Sequence, residues 1–170
     1  MNRDDLENLS DHVLDNYGKH IEEAAEMFEH KPEVLAGIMI RESRGGLALK
    51  NGLGDGGHGH GLMQIDDRSF PEFCAVGKWA DPRENIQFAA HVLAEKRRSI
   101  RQLAAAADIA VGDVERASIA AYNCGAGRVI RALADGRDVD FYTTGKDYSQ
   151  AVLEYAEVYK EVADGHESKG

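Results

Sequence analysis

Residues 45–66 read GGLALKNGLGDGGHGHGLMQID, and eight of the chain's eighteen glycines fall there. Glycine weakens helix and strand interiors and admits positive φ angles, so this stretch is neither an ordinary helix nor a central strand. It predicts a small hairpin or loop lobe that closes with Leu62-Met63-Gln64-Ile65. Strand signal is scarce elsewhere, and the remaining sequence must build its body from helices.

The clearest helix start is Asp81-Pro82-Arg83-Glu84, an N-cap acid, a proline at the first helical position and a glutamate three residues after the cap. Ile86, Ala89, Ala90, Leu93 and Arg97 then follow a spacing of three and four, which predicts a helix to about Ala107. Further helices are expected near 4–18 and 19–29, from Pro32 to about Arg44, from Asp113 to Tyr122, from Ala126 to Ala134 and from Asp147 to Val162. No repeat, low-complexity tract or linker divides the chain. The expectation is one mainly α (α+β) domain over 1–170, with a helical extension over 1–30 and a core over 31–162. The glycine-rich lobe would form one side of a cleft.

Thirty acidic and twenty basic residues give a formal charge of −10, which repels phosphate backbones and anionic lipid surfaces. Nucleic acid and membrane are therefore not expected partners, and no stretch approaches the roughly 18 consecutive apolar residues of a membrane helix. The first residues, Met1-Asn2-Arg3-Asp4-Asp5, hold no basic stretch followed by an apolar core of the kind a secretion signal needs. Cys74 and Cys124 lack the close pairing of a zinc site or redox dithiol, and they form at most one disulfide.

On the helix opened by Pro32, the apolar stripe Leu35, Ile38 and Met39 continues to Glu42. An inward carboxyl loses hydration of its charged form, so its pKa is expected to rise, which suits a general acid. The alternative is a helix-end glutamate paired with Arg41 or Arg44. Downstream, the glycine-rich segment delivers Asp55, Asp66 and Asp67 on a backbone that lets main chain approach a ligand closely. Inverting glycoside hydrolysis needs a protonated carboxyl and an ionised one roughly 6.5–9.5 Å apart, and Glu42 with Asp66 or Asp55 is the candidate for such a pair. For the aspartates the alternative is turn formation beside glycine.

Two patterns are set aside. Gly52-Leu53-Gly54-Asp55-Gly56-Gly57 fits GxGxxG but lacks a preceding strand and a βαβ setting. His58 and His60 alternate as metal ligands do, yet no further Cys, Asp or Glu at ligand spacing completes a site. No metal and no cofactor is expected.

Arg41-Glu42-Ser43 followed by LKNGLGDGGHGHGLMQIDDRS resembles the goose-type lysozymes, in which a helix-end glutamate precedes a GWGD…GxGLMQVD segment. Ala121-Tyr122-Asn123-Cys124-Gly125-Ala126-Gly127 is similar to that family's AYNAGAG element, and Asp147-Tyr148 to its closing DDY. The resemblance covers roughly residues 30 to 160 and implies a lysozyme-like fold. It implies Glu42 as general acid, with Asp66 and Asp55 holding and activating water in a single inverting displacement. Gln64, Ile65, Tyr122, Asn123 and Tyr148 are implied to line the sugar-binding cleft. Leu53 stands where the family has Trp, His60 where it has Phe, and Phe70 where many members have His, all at the cleft. Missing amino-terminal cysteines point to a bacterial or phage-like rather than an animal source.

The implied activity is cleavage of β-1,4 links in peptidoglycan by a secreted or cell-envelope monomer whose partner is the polysaccharide. Chitin hydrolysis is the nearest alternative, because the −10 charge matches an anionic wall poorly. A lytic transglycosylase needs no water-activating aspartate, and a non-catalytic wall-binding module needs no Glu42.

Overall fold

The computed structural model describes residues 1–169. The chain separates into two compact units, one of Met1–Ala90 together with the residues from Glu154 onward, the other of His91–Leu153.

The first unit opens with α1 (Arg3–Phe28), whose N-cap Asn2 accepts a hydrogen bond from the Asp5 amide at 2.8 Å. Asp4 and Asp5 in the first turn suit the positive end of the helix dipole. Two helices were expected here, broken near Gly18, but a single helix forms. Gly18 is buried, and a Cβ there would lie 3.0 Å from Leu14 Cδ1 and 3.6 Å from the Tyr159 hydroxyl. The glycine makes room for a neighbouring helix and does not interrupt its own. Leu6, Leu9, Val13, Ile21, Ala24 and Ala25 accordingly form one continuous buried stripe. Burial pushes the Tyr159 hydroxyl up to about 12.

Helix α2 (Pro32–Ser43) packs against α1. Every residue from Val34 to Ile40 is buried, so α2 is a central helix enclosed on all sides and not a one-faced surface helix. The lobe follows as a three-stranded antiparallel sheet, β1 (Leu53–Gly54), β2 (Gly59–His60) and β3 (Ile65–Asp66), in the order β1-β2-β3. Leu53 faces His60 and Gly54 faces Gly59 across the first pair; Gly59 faces Asp66 and His60 faces Ile65 across the second. The short α3 (Pro71–Ala75), which the sequence pattern did not reveal, leads into the predicted cap of α4 (Pro82–Ala106). There the Glu84 amide donates to Asp81 Oδ1 at 3.0 Å.

The second unit holds the rest of α4, then α5 (Val114–Cys124), α6 (Ala126–Ala134) and the beginning of α7 (Tyr148–Glu167). Its core joins Ile100 and Ala104 of α4 to Ala117, Ala120 and Ala121 of α5 and Val129 and Ile130 of α6. The alanines bring helix backbones close together, so packing here depends on short side chains. Before α7, the buried Asp140 accepts from the backbone amides of Ser149 (2.9 Å) and Gln150 (3.2 Å) and from the hydroxyls of Ser149 (2.7 Å) and Thr143 (3.2 Å). Arg116 lies 3.4 Å from the same carboxylate.

Cys74 and Cys124 are free thiols, and burial is the main cause raising both above the usual range. No helix among the described residues is long and apolar enough to cross a membrane.

Candidate active site

Glu42 lies half-buried in the last turn of α2, which ends when Arg44 takes a left-handed conformation (φ 53°) and its amide donates to the Ile40 carbonyl. The neighbouring Ser43 is wholly buried. Its hydroxyl lies 2.7 Å from the Leu62 carbonyl and 3.3 Å from the Met39 carbonyl, and it accepts from the Gly46 amide at 3.0 Å. The helix end that carries Glu42 is thus bonded directly to the closing segment of the lobe. Sequence reasoning recorded Ser43 only as part of a motif and did not find this link.

A second clamp comes from the start of α4. Asn85, also wholly buried, donates through Nδ2 to the His60 carbonyl (3.0 Å) and accepts through Oδ1 from the Met63 amide (2.8 Å). It therefore spans the turn between β2 and β3. Gly61 in that turn has φ +72°, and a Cβ there would meet the Trp79 carbonyl oxygen at 2.7 Å and Asn85 Nδ2 at 2.3 Å, so only glycine fits. Gln64 is itself left-handed (φ 50°), and its Nε2 donates to the Gly61 carbonyl at 2.9 Å. Its carboxamide covers Gly54 and Gly59, where added Cβ atoms would fall 2.3 and 2.1 Å from Oε1.

The two candidate water-activating carboxylates meet on one guanidinium. Arg68 donates through Nε to Asp66 Oδ1 (2.9 Å), through one terminal nitrogen to Asp66 Oδ2 (3.1 Å), and through that nitrogen to Asp55 Oδ2 (2.8 Å). Its backbone amide also donates to Asp66 Oδ1 at 2.8 Å. The hydrogen bond from Arg68 is the main cause holding the Asp66 carboxyl below the usual carboxylate range; partial burial opposes it. Asp55, exposed and left-handed (φ 48°), keeps Oδ1 without a hydrogen bond among the described residues. Asp67 is engaged separately by His58 Nδ1 at 2.8 Å. Arg68 stands at the end of the glycine-rich motif, and its only sequence signal is a cation two residues beyond Asp66.

The family model for "Lysozyme g" matches residues 2–163. The chain is 32% identical over 151 residues to Lysozyme G of Dromaius novaehollandiae, covering 87% of this chain and 68% of that protein. It is 37% identical over 150 residues to Lysozyme g of Takifugu rubripes, covering 86% and 75%, and 34% identical over 148 residues to that of Struthio camelus, covering 87% and 68%. The chain belongs to the lysozyme g family. Membership makes it a glycoside hydrolase.

The remaining residues that the lysozyme g resemblance assigns to the sugar divide between the two units. In the first, His60 meets Trp79 edge-on, with ring centroids 4.9 Å apart, and its Nδ1 lies 3.0 Å from the His58 carbonyl. Ile65 is buried, and its carbonyl accepts from the Cys74 thiol at 3.8 Å. Trp79, which sequence reasoning did not single out, lines a cavity of about 330 Å³ with Tyr17, Leu49, Asn51, Leu62 and Pro82; none of Glu42, Asp55 and Asp66 lines it. In the second unit Tyr122 is half-buried and Tyr148 is buried, 2% exposed. Asn123 uses its side chain on one neighbour: Oδ1 accepts from the Thr144 amide (2.9 Å) and Nδ2 donates to the Thr144 hydroxyl (3.3 Å).

Proposed function

We propose that this lysozyme g member hydrolyses the β-1,4 link between N-acetylmuramic acid and N-acetylglucosamine in peptidoglycan, with inversion, and that Glu42 is the general acid. Glu42 gives its proton to the glycosidic oxygen as the bond to the anomeric carbon breaks, and is left as a carboxylate. Water attacks the same carbon from the opposite face and passes its proton to Asp66, helped by Asp55. An attacking water needs an ionised acceptor, and Arg68 keeps Asp66 ionised to lower pH than an ordinary aspartate.

The observation that carries this reading is the gathering of Asp55 and Asp66 on Arg68. A carboxylate offers about four acceptor positions, and the open Oδ1 of Asp55 leaves capacity for a water. Lytic transglycosylation, in which the sugar's own hydroxyl attacks, has no use for such a pair. Ser43 and Asn85 support the mechanism by fixing the lobe to the helix end that bears the acid. Gln64, Ile65 and His60 in the first unit, and Tyr122, Asn123 and Tyr148 in the second, are the residues we assign to sugar binding. The family match runs through both units, and we read them as parts of one catalytic domain acting as a monomer outside the cell or at its envelope.

Product analysis on purified peptidoglycan tests the proposal. New reducing ends of inverted anomeric configuration are expected, and Glu42→Gln should lower kcat by about a thousandfold. Anhydro-sugar ends would replace hydrolysis with transglycosylation. Soluble oligosaccharides from chitin, with none from peptidoglycan, would reassign the substrate.

A further inference from the structure

The negative charge of the chain is unevenly shared. His91–Leu153 carries nine Lys and Arg against eight Asp and Glu, whereas the rest of the chain carries eleven against twenty-two. Within that near-neutral unit, three exposed cations gather on two neighbouring rings. Arg137 lies 4.1 Å and Lys146 4.7 Å from the centroid of Phe141, Arg131 lies 5.9 Å from that of Tyr142, and the two rings meet edge-to-face at 4.9 Å. None of the three cations has a carboxylate at ion-pair distance among the described residues. Arg116 in the same unit is by contrast engaged by Asp138 and Asp140.

We propose that this basic and aromatic patch is a docking site for carboxylates borne by the peptidoglycan strand, an inference that rests on peptidoglycan being the substrate. Cations gathered on two adjoining rings repel one another, and the negative faces of the rings offset only part of that cost. A carboxylate arriving at the patch is attracted by Arg137, Lys146 and Arg131 together. The guanidinium planes add paired donors suited to a carboxylate, and the rings offer flat apolar area beside them. A neutral N-acetylated polymer has no charge to place there. The patch also connects to the glycan reading through the chain, because Thr144, two residues before Lys146, takes both hydrogen bonds of the Asn123 side chain. With the other unit strongly acidic, the patch gives an anionic strand a favourable point of approach.

Binding measured by co-sedimentation tests this without relying on turnover. Insoluble peptidoglycan and the same material with its carboxyls amidated are compared, using the Glu42→Gln protein so that the polymer is preserved. Replacing Arg137 and Lys146 together with Gln should weaken binding to native peptidoglycan about fivefold at low salt. It should leave binding to the amidated polymer unchanged, and the difference should vanish near 1 M salt, where the screening length is about 3 Å. Arg131→Gln, a single exposed change, should show a smaller loss of the same kind. A charge-matched control, Arg98→Gln with Arg101→Gln on α4, should bind as the parent does. No loss in the patch variants, equal loss on the amidated polymer, or equal loss in the control would overturn the proposal. Failure of the hydrolytic reading shows separately, as absence of product from the unmutated enzyme.

Discussion

Asp66 and Asp140 are made from the same chemistry and come to opposite ends. Asp66 accepts one backbone amide and Asp140 two, and each lies beside an arginine, Arg68 in one case and Arg116 in the other. Asp140 is 2% exposed, and two amides, two hydroxyls and a guanidinium consume its acceptor capacity at the first turn of α7. Asp66 is 37% exposed, and its companion on Arg68, Asp55, is 68% exposed with one oxygen open. A carboxylate with every lone pair taken is a staple. One with a lone pair left over and access to solvent can hold a reactant.

The largest effect that tests this contrast is on stability. Asp140→Ala should cost about 3–5 kcal/mol, because it leaves the Ser149 and Gln150 amides and the Ser149 hydroxyl without their buried acceptor while Arg116 keeps only Asp138, and chemical denaturation would read it. A loss below about 1 kcal/mol would mean that the Asp140 network is slack. Next comes Asp66→Asn, for which we expect kcat to fall about a hundredfold while stability changes by less than about 1 kcal/mol, the range of an exposed ion pair. Full activity with a large stability loss would make Asp66 a second staple. Smallest in amplitude is Arg68→Gln, expected to lower activity a fewfold and to move the acidic limb of the pH profile upward. Arg68 holds Asp66 below its ordinary value, so in the parent the ionised form persists as pH falls; without the guanidinium, protonation sets in at higher pH. An unmoved acidic limb would detach Arg68 from Asp66's titration.

Features written in neighbouring residues were legible before the fold was seen. The Asp81-Pro82-Arg83-Glu84 start holds, the glycine-rich stretch is the lobe, and Leu35, Ile38 and Met39 are buried, although together with every residue from Val34 to Ile40 and not as a one-sided stripe. What stayed hidden was polar and remote. Ser43 meets Leu62 across 19 positions, Asn85 meets Met63 across 22, and Arg68 meets Asp55 across 13. No local period signals such pairs, since each depends on where two separate elements come to rest. The split assigned to α1 failed for a related reason: Gly18 looks like a breaker until Tyr159 is seen against it.

The tip of the lobe has a chemical consequence of another kind. Gly56 and Gly57 have φ of +64° and +97°, yet a Cβ on either would touch nothing within 4 Å. What disfavours other residues there is chirality, not crowding. A D-alanine would occupy either position without strain, whereas its mirror image would be strained at both. Ribosomal synthesis offers one amino acid without a hand, and at this tip the achirality of glycine is the property being used.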